Sequence, residues 1–117
     1  MLVYSIVLFV LAAVVGIYLA SRVLAGQLPP WPAAILHGLF AASGLALLLY
    51  TAFLTGGAPA QPVLIGAILL VVAALGGFVM VSFHAQKKPP PKALAIIHAL
   101  AAVTGVGAVA ASAFGLV

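Results

Sequence analysis

Four long apolar runs, separated by short polar breaks, organise the chain. The runs cover approximately residues 2–24, 31–54, 63–85 and 93–117, and the breaks are rich in Gly, Pro, Gln and Lys. Each run exceeds the ~20 residues that a transmembrane helix needs. The first run is too long for a signal-peptide core and has no basic leader, so we predict a retained helix. Because the connections are short, the pattern predicts an all-α membrane protein, a four-helix up-down bundle.

Composition supports this interpretation and excludes several functions. Of the 117 residues 68% are hydrophobic and 3% are charged, against roughly 25% charged in a soluble domain. The chain therefore forms one transmembrane bundle over residues 1–117. The absence of Asp and Glu argues against a cation-coupled transporter of the small multidrug resistance type and against hydrolytic metal catalysis. The absence of Cys excludes disulfides, thiolate metal sites and c-type haem attachment.

The formal charges predict the orientation of the bundle. Arg22, Lys87, Lys88 and Lys92 all lie in or beside the first and third breaks. The positive-inside rule places these two loops in the cytoplasm and both termini outside, as expected for a protein of the bacterial inner membrane. We interpret the net charge of +4 as a topology signal, with no nucleic-acid partner.

The sequence repeats itself at an offset of 61 positions. Residues 1–56 form the first copy and residues 62–117 the second. The informative matches involve prolines, histidines, glycines and serines: Pro29-Pro30 with Pro90-Pro91, His37 with His98, Gly16 with Gly77, Gly44 with Gly105, and Ser21 with Ser82. The pattern predicts two duplicated helical hairpins, related by a pseudo-twofold axis along the membrane normal.

The matched histidines are the strongest candidates for function, because an ionisable residue inside a membrane helix usually marks a functional site. His37 and His98 each lie roughly 10 Å inside a helix, at 1.5 Å rise per residue. A twofold axis would make them face each other at equal depth, as axial ligands of a flat macrocycle do. Small residues with i+4 and i+7 spacing share the histidine faces, and two glycines of the other helices reach a similar depth. These small residues are Ala41, Gly44, Ala102, Gly105, Gly16 and Gly77.

With this histidine pair and these glycines, the sequence resembles four-helix membrane b-type cytochromes, such as cytochrome b561-like proteins and the haem-bearing anchors of respiratory dehydrogenases. The resemblance implies one haem b held by His37 and His98, with electron transfer as the function. Quinone or a larger respiratory or photosynthetic complex would be the electron partner. The chain departs from cytochrome b561 in having one matched histidine pair instead of two, so one haem is implied.

Other interpretations of the same residues remain open. The two histidines are also explained as polar residues hydrogen-bonded between helices, and the small residues as close helix contacts. The chain would then be a cofactor-free accessory or scaffold subunit of a larger membrane complex. Under either interpretation it could form a homo-oligomer. His84 is either an interfacial histidine or a partner of a haem propionate or quinone headgroup, and Arg22 and Lys87 are either topology signals or propionate counter-ions. Met80 and His84, four residues apart, could also share a Cu(I) site.

The orientation generates the first testable prediction. A phosphatase fused after Val117 should be active and a fluorescent protein fused there should not fluoresce, because Val117 lies outside when the basic loops stay in the cytoplasm. Paired phosphatase and fluorescent-protein fusions measure this, with fusions after Lys88 as the matched cytoplasmic control. A cytoplasmic Val117 would reverse the orientation.

Overall fold

Four long helices make up the protein in the computed structural model, which describes residues 2–117. No strand occurs in that part of the chain. The helices are α1 (Leu2–Leu24), α2 (Trp31–Leu49, continued by a π-helical turn over Tyr50–Leu54), α3 (Gln61–Ala85) and α4 (Lys92–Ala113). All four, counting the π turn with α2, are long and apolar enough to cross a membrane. The prediction of an all-helical membrane protein with four spans is confirmed at this level.

The helices form a bundle about as long as a bilayer is thick. α1 packs chiefly on α2 and α3 chiefly on α4, with smaller interfaces between α1 and α4 and between α2 and α3. The molecule measures 44 × 21 × 19 Å, against ~40–45 Å for a bilayer with its headgroups. Large apolar side chains cover the outside, among them Ile17 and Phe78, which are 72% and 71% exposed. Such a surface suits lipid and indicates an integral membrane protein.

The tightly packed core lies in one half of the bundle. Its buried members come from the beginning of α1 and α3 and from the end of α2 and α4: Ile6, Phe9, Leu48, Ala52, Val63, Ala67, Leu70 and Val109. These positions share the end of the bundle that carries the 55–60 connection, away from the basic loops. The opposite half, where the histidines lie, has room for a cavity.

Close backbone contact joins α3 to α4 in the packed half. A Cβ built on Gly66 would lie 2.7 Å from the carbonyl oxygen of Gly105, and a Cβ on Gly105 would lie 3.0 Å from that of Gly66. Helices approach this closely only where both carry small residues, which is the usual way for membrane helices to gain packing energy.

Helix ends follow from residues that accept a left-handed backbone. α1 ends at Leu24 and α3 at Ala85, each two residues before a left-handed residue, Gly26 (φ 74°) and Lys87 (φ 59°). In both, the amide after the left-handed residue donates to the carbonyl five residues earlier. α4 ends in the same way before Gly115, which has φ 71°. This is the Schellman motif, which satisfies the last carbonyls of a helix. The fourth apolar run therefore stops being helical at Ala113 and does not continue to Val117 as the sequence predicts.

The glycine contact predicts an asymmetry between two nearby positions of α4. Gly105→Ala should lower the free energy of unfolding by about 1–3 kcal/mol, the usual cost of overpacking. The added methyl would meet the Leu70 side chain at 2.9 Å and the Gly66 carbonyl at 3.0 Å. Gly107→Ala is the matched control, because nothing lies within 4 Å of a Cβ there. Unfolding of both variants in mixed detergent micelles measures the difference, and equal stabilities would contradict the tight contact.

Candidate functional site

The two repeated histidines meet inside the bundle. His37 on α2 and His98 on α4 have ring centres 6.1 Å apart, with their planes inclined at 70°. Both side chains are half-buried. α2 and α4 lie diagonally across the bundle, because each packs on α1 and α3 far more than on the other. The pair therefore bridges the interior, as the repeat predicts.

A backbone carbonyl fixes each imidazole. His37 Nδ1 donates to the carbonyl of Ala12 at 2.8 Å, and His98 Nδ1 donates to the carbonyl of Ala73 at 2.7 Å. Because a carbonyl can only accept, the neutral ring carries its proton on Nδ1 and keeps a lone pair on Nε2. Metal-ligating histidines are typically held in this way, with the second nitrogen bonded to a carbonyl or carboxylate. Ala12 and Ala73 correspond to each other at the 61-residue offset.

Glycines provide the space in which the two rings lie. A Cβ on Gly16 would come within 3.0 Å of Cε1 and 3.2 Å of Nδ1 of His37. A Cβ on Gly77 would lie 3.5 Å from Cε1 of His98, which is ordinary contact. The predicted proximity of these glycines to the histidines is therefore present in the structure, and it is tighter in the first hairpin.

A mainly apolar cavity of about 260 Å³ adjoins the histidine pair. It runs from the two imidazoles toward the basic loops, where Pro29 and Pro90 lie on its wall. Two of its lining residues, Ile17 on α1 and Val103 on α4, are 72% and 69% exposed, so the cavity reaches the lipid-facing surface between these helices. The space is therefore accessible from the bilayer.

A third histidine lines the same cavity near the basic loops. His84 is only 4% exposed, and its ring stacks on Trp31 with centres 3.9 Å apart and planes 6° from parallel. Its Nε2 is buried and has no hydrogen-bond partner among residues 2–117. Within that range no three His, Cys, Asp or Glu side chains lie close enough to share one metal ion, so His84 stands apart from His37 and His98.

Several predicted site residues lie elsewhere. Gly44 packs on Phe9 and Leu8 within the first hairpin, Gly105 packs on α3, and neither lines the cavity. Ala102 is in the lining, whereas Ala41 is not. The cavity extends from the histidines toward the start of α2 and α4, the direction opposite to Gly44 and Gly105. That these two glycines contact a bound ring stays a prediction, and their observed environment is close helix packing.

The sulfur-containing and charged candidates also differ in whether they line the cavity. Met80 lines the cavity together with His84, so these two residues share a face as their spacing predicts. Arg22 is outside the lining, and one of its terminal nitrogens donates to the carbonyl of Leu28 at 3.3 Å. In the structure Arg22 stabilises the first basic loop.

Trp31 is a residue of this site that the sequence analysis did not identify. Its pairing with His84 joins residues on α2 and α3 that no motif relates. One available signal was the repeat itself, since Trp31 and His84 both stand where the other copy has a different residue, Lys92 and Val23.

Comparison of the chain with protein-family models, with curated proteins and with solved structures finds no match.

The unequal glycine contacts predict unequal responses to the same substitution. Gly16→Ala should displace the His37 ring and weaken its bond to Ala12, because the ring atoms would have to move by a few tenths of an ångström. Gly77→Ala is the matched control and should leave His98 in place. Nitrogen-15 chemical shifts of the two Nδ1 atoms in labelled protein report both bonds. This geometry would be contradicted if the Nδ1 chemical shift of His98 changed more in Gly77→Ala than that of His37 changed in Gly16→Ala.

Proposed function

We propose that the protein is a small integral membrane b-type haem protein that transfers electrons through one haem ligated by His37 and His98. The observation that carries the proposal is the geometry of this pair: two imidazoles bonded to carbonyls through Nδ1, with their centres 6.1 Å apart.

The separation of the rings fits two ligands on opposite sides of one ion. With metal–nitrogen bonds of about 2 Å, two imidazoles bound in line have their centres about 6 Å apart. The hydrogen bonds at Nδ1 support the same assignment, because they leave Nε2 of each ring as the free donor to a metal and hold the rings in position.

The surroundings of the pair suit a porphyrin better than a bare ion. The cavity beside the rings is mainly apolar and is lined by Gly16, Gly77 and several alanines. Its volume of about 260 Å³ is below the ~300 Å³ lower limit for small-molecule sites, so a porphyrin would also need the open side between α1 and α4. The cavity extends to the end of the bundle that carries all four formal positive charges, which complement two propionates.

The duplicated architecture is part of this proposal. The hydrogen bonds of His37 and His98, the turns at Gly26 and Lys87, and the paired prolines all recur at the 61-residue offset. A pseudo-twofold axis along the membrane normal would make the two axial ligands equivalent. The basic loops face the cytoplasm in the proposed orientation, and a haem held by the two histidines would lie nearer that side.

A haem with two axial histidines has no free coordination position, so when bound it supplies one-electron transfer and not gas binding. His37 and His98 would hold the iron, the mainly apolar lining would surround the macrocycle, and the open side between α1 and α4 would leave one edge accessible from the bilayer. A quinone is a suitable electron partner because it is dissolved in the membrane, and a larger respiratory or photosynthetic complex would be reached through the apolar outer face.

Substitution of the two proposed ligands tests the function. His37→Ala and His98→Ala should each abolish low-spin haem, because each removes one axial bond. His84→Ala is the control and should keep the low-spin spectrum. Absorption spectra of protein purified from haem-replete cells, before and after dithionite reduction, measure this.

Two outcomes would overturn the proposal. Loss of haem in His84→Ala with retention in His98→Ala would show that the ligand pair is wrong. Colourless wild-type protein would favour the accessory-subunit alternative, in which the imidazole–carbonyl bonds serve only to join the helices of each hairpin.

A further inference from the structure

We infer that His84, held by its stack on Trp31, donates a hydrogen bond to a propionate carboxylate of the haem and thereby tunes the redox potential of the iron. This inference rests on the proposed haem function and adds a residue outside the ligand pair.

The first observation is an unmatched polar atom. Nε2 of His84 is buried and has no hydrogen-bond partner within residues 2–117, although His84 lines the cavity. A buried polar group without a partner costs about 1–3 kcal/mol, and few such groups persist in folded proteins without a reason. The chain contains no carboxylate side chain that could accept from this nitrogen. A carboxylate brought by the ligand would supply the missing acceptor.

The second observation is the stack that orients the ring. Trp31 lies parallel to His84 at 3.9 Å, which restricts rotation of the imidazole about its side-chain bonds. Trp31 is the first residue of α2, and His84 belongs to the last turn of α3, so the stack joins the two hairpins at the basic end. An imidazole held in this way is positioned before the ligand arrives, which reduces the entropy cost of binding.

The third observation is the distance to the iron site. Trp31 precedes His37 by six residues, which is roughly 9 Å along a helix. His84, stacked on Trp31, lies at this depth and lines the cavity that begins at His37 and His98. In haem, the propionate carboxylates lie at a similar distance from the iron. The basic loops lie at the same end, so the carboxylate charge meets a positive environment.

The position of the first hairpin that corresponds to His84 provides a control for this inference. The residue that corresponds to His84 in the first hairpin is Val23, which is equally buried at 4% exposure and lines the same cavity. The two positions therefore have the same burial but different chemistry. Only the histidine can donate a hydrogen bond, so only its substitution should affect the propionate.

Redox titration of the haem-loaded protein tests this. His84→Phe keeps an aromatic ring for the Trp31 stack and removes the donor. Without the hydrogen bond the propionate places more negative charge near the iron and favours the ferric state. We expect the ferric-to-ferrous equilibrium to shift toward ferric by a few-fold to tenfold, tenfold being about 59 mV for one electron. His84→Gln retains an N–H donor and should stay nearer to the wild-type potential. Val23→Ala changes the cavity lining without removing a donor, so it should shift the potential less than His84→Phe does.

Reconstitution with haem dimethyl ester provides a second test, because the ester has no carboxylate to which His84 could donate. Wild type and His84→Phe reconstituted with the ester should have the same potential, since the interaction is absent from both. The low-spin spectrum, recorded for every sample, verifies that His37 and His98 still hold the haem.

Three results would contradict the inference, and they show whether the proposed haem function fails with it. Equal potentials of wild type and His84→Phe with native haem would overturn the role of His84 while leaving the haem proposal intact. A difference that persists with the dimethyl ester would also overturn it, because His84 would then act without the carboxylate. Wild-type protein that binds no haem would overturn the inference together with the proposed function.

Discussion

The hydrogen bond from each central histidine to a carbonyl of the neighbouring helix is the interaction on which the site depends. An imidazole N–H in a bilayer has no water to bond, and leaving it unpaired would be costly. The bonds to Ala12 and Ala73 satisfy that requirement, join the two helices of each hairpin and fix the orientation of the rings. They also assign the lone pair to Nε2, which makes both rings suitable as metal ligands.

One half of the bundle is tightly packed, and the other half contains the cavity. In the half near the 55–60 connection, Gly66 and Gly105 allow α3 and α4 to approach closely, and the buried core residues lie there. In the basic half the helices separate around His37, His98 and the cavity. Because one half is well packed, the other can remain open without loss of the fold, as is common where stability and function lie in different regions.

Small residues explain why the position of the cavity could not be predicted from the sequence. Gly and Ala occur on both sides of each histidine along the helix, and the same residue type serves a close helix contact or the wall of a cavity. Gly44 and Gly105 are in close contacts, whereas Gly16 and Gly77 lie beside the imidazoles. Which role a glycine has depends on the rotation and tilt of the neighbouring helix, which the local sequence does not specify.

The sequence by itself determined the four helices, because apolar length decides which segments can span a bilayer and prolines and glycines decide where they end. It also identified His37 and His98 as a candidate pair, since both fall in one register at the 61-residue offset. Only the tertiary structure decided that their rings lie 6.1 Å apart, that the cavity extends toward the basic loops, and that Trp31 stacks on His84. These features depend on how separate helices pack, and packing joins residues that are distant in the chain.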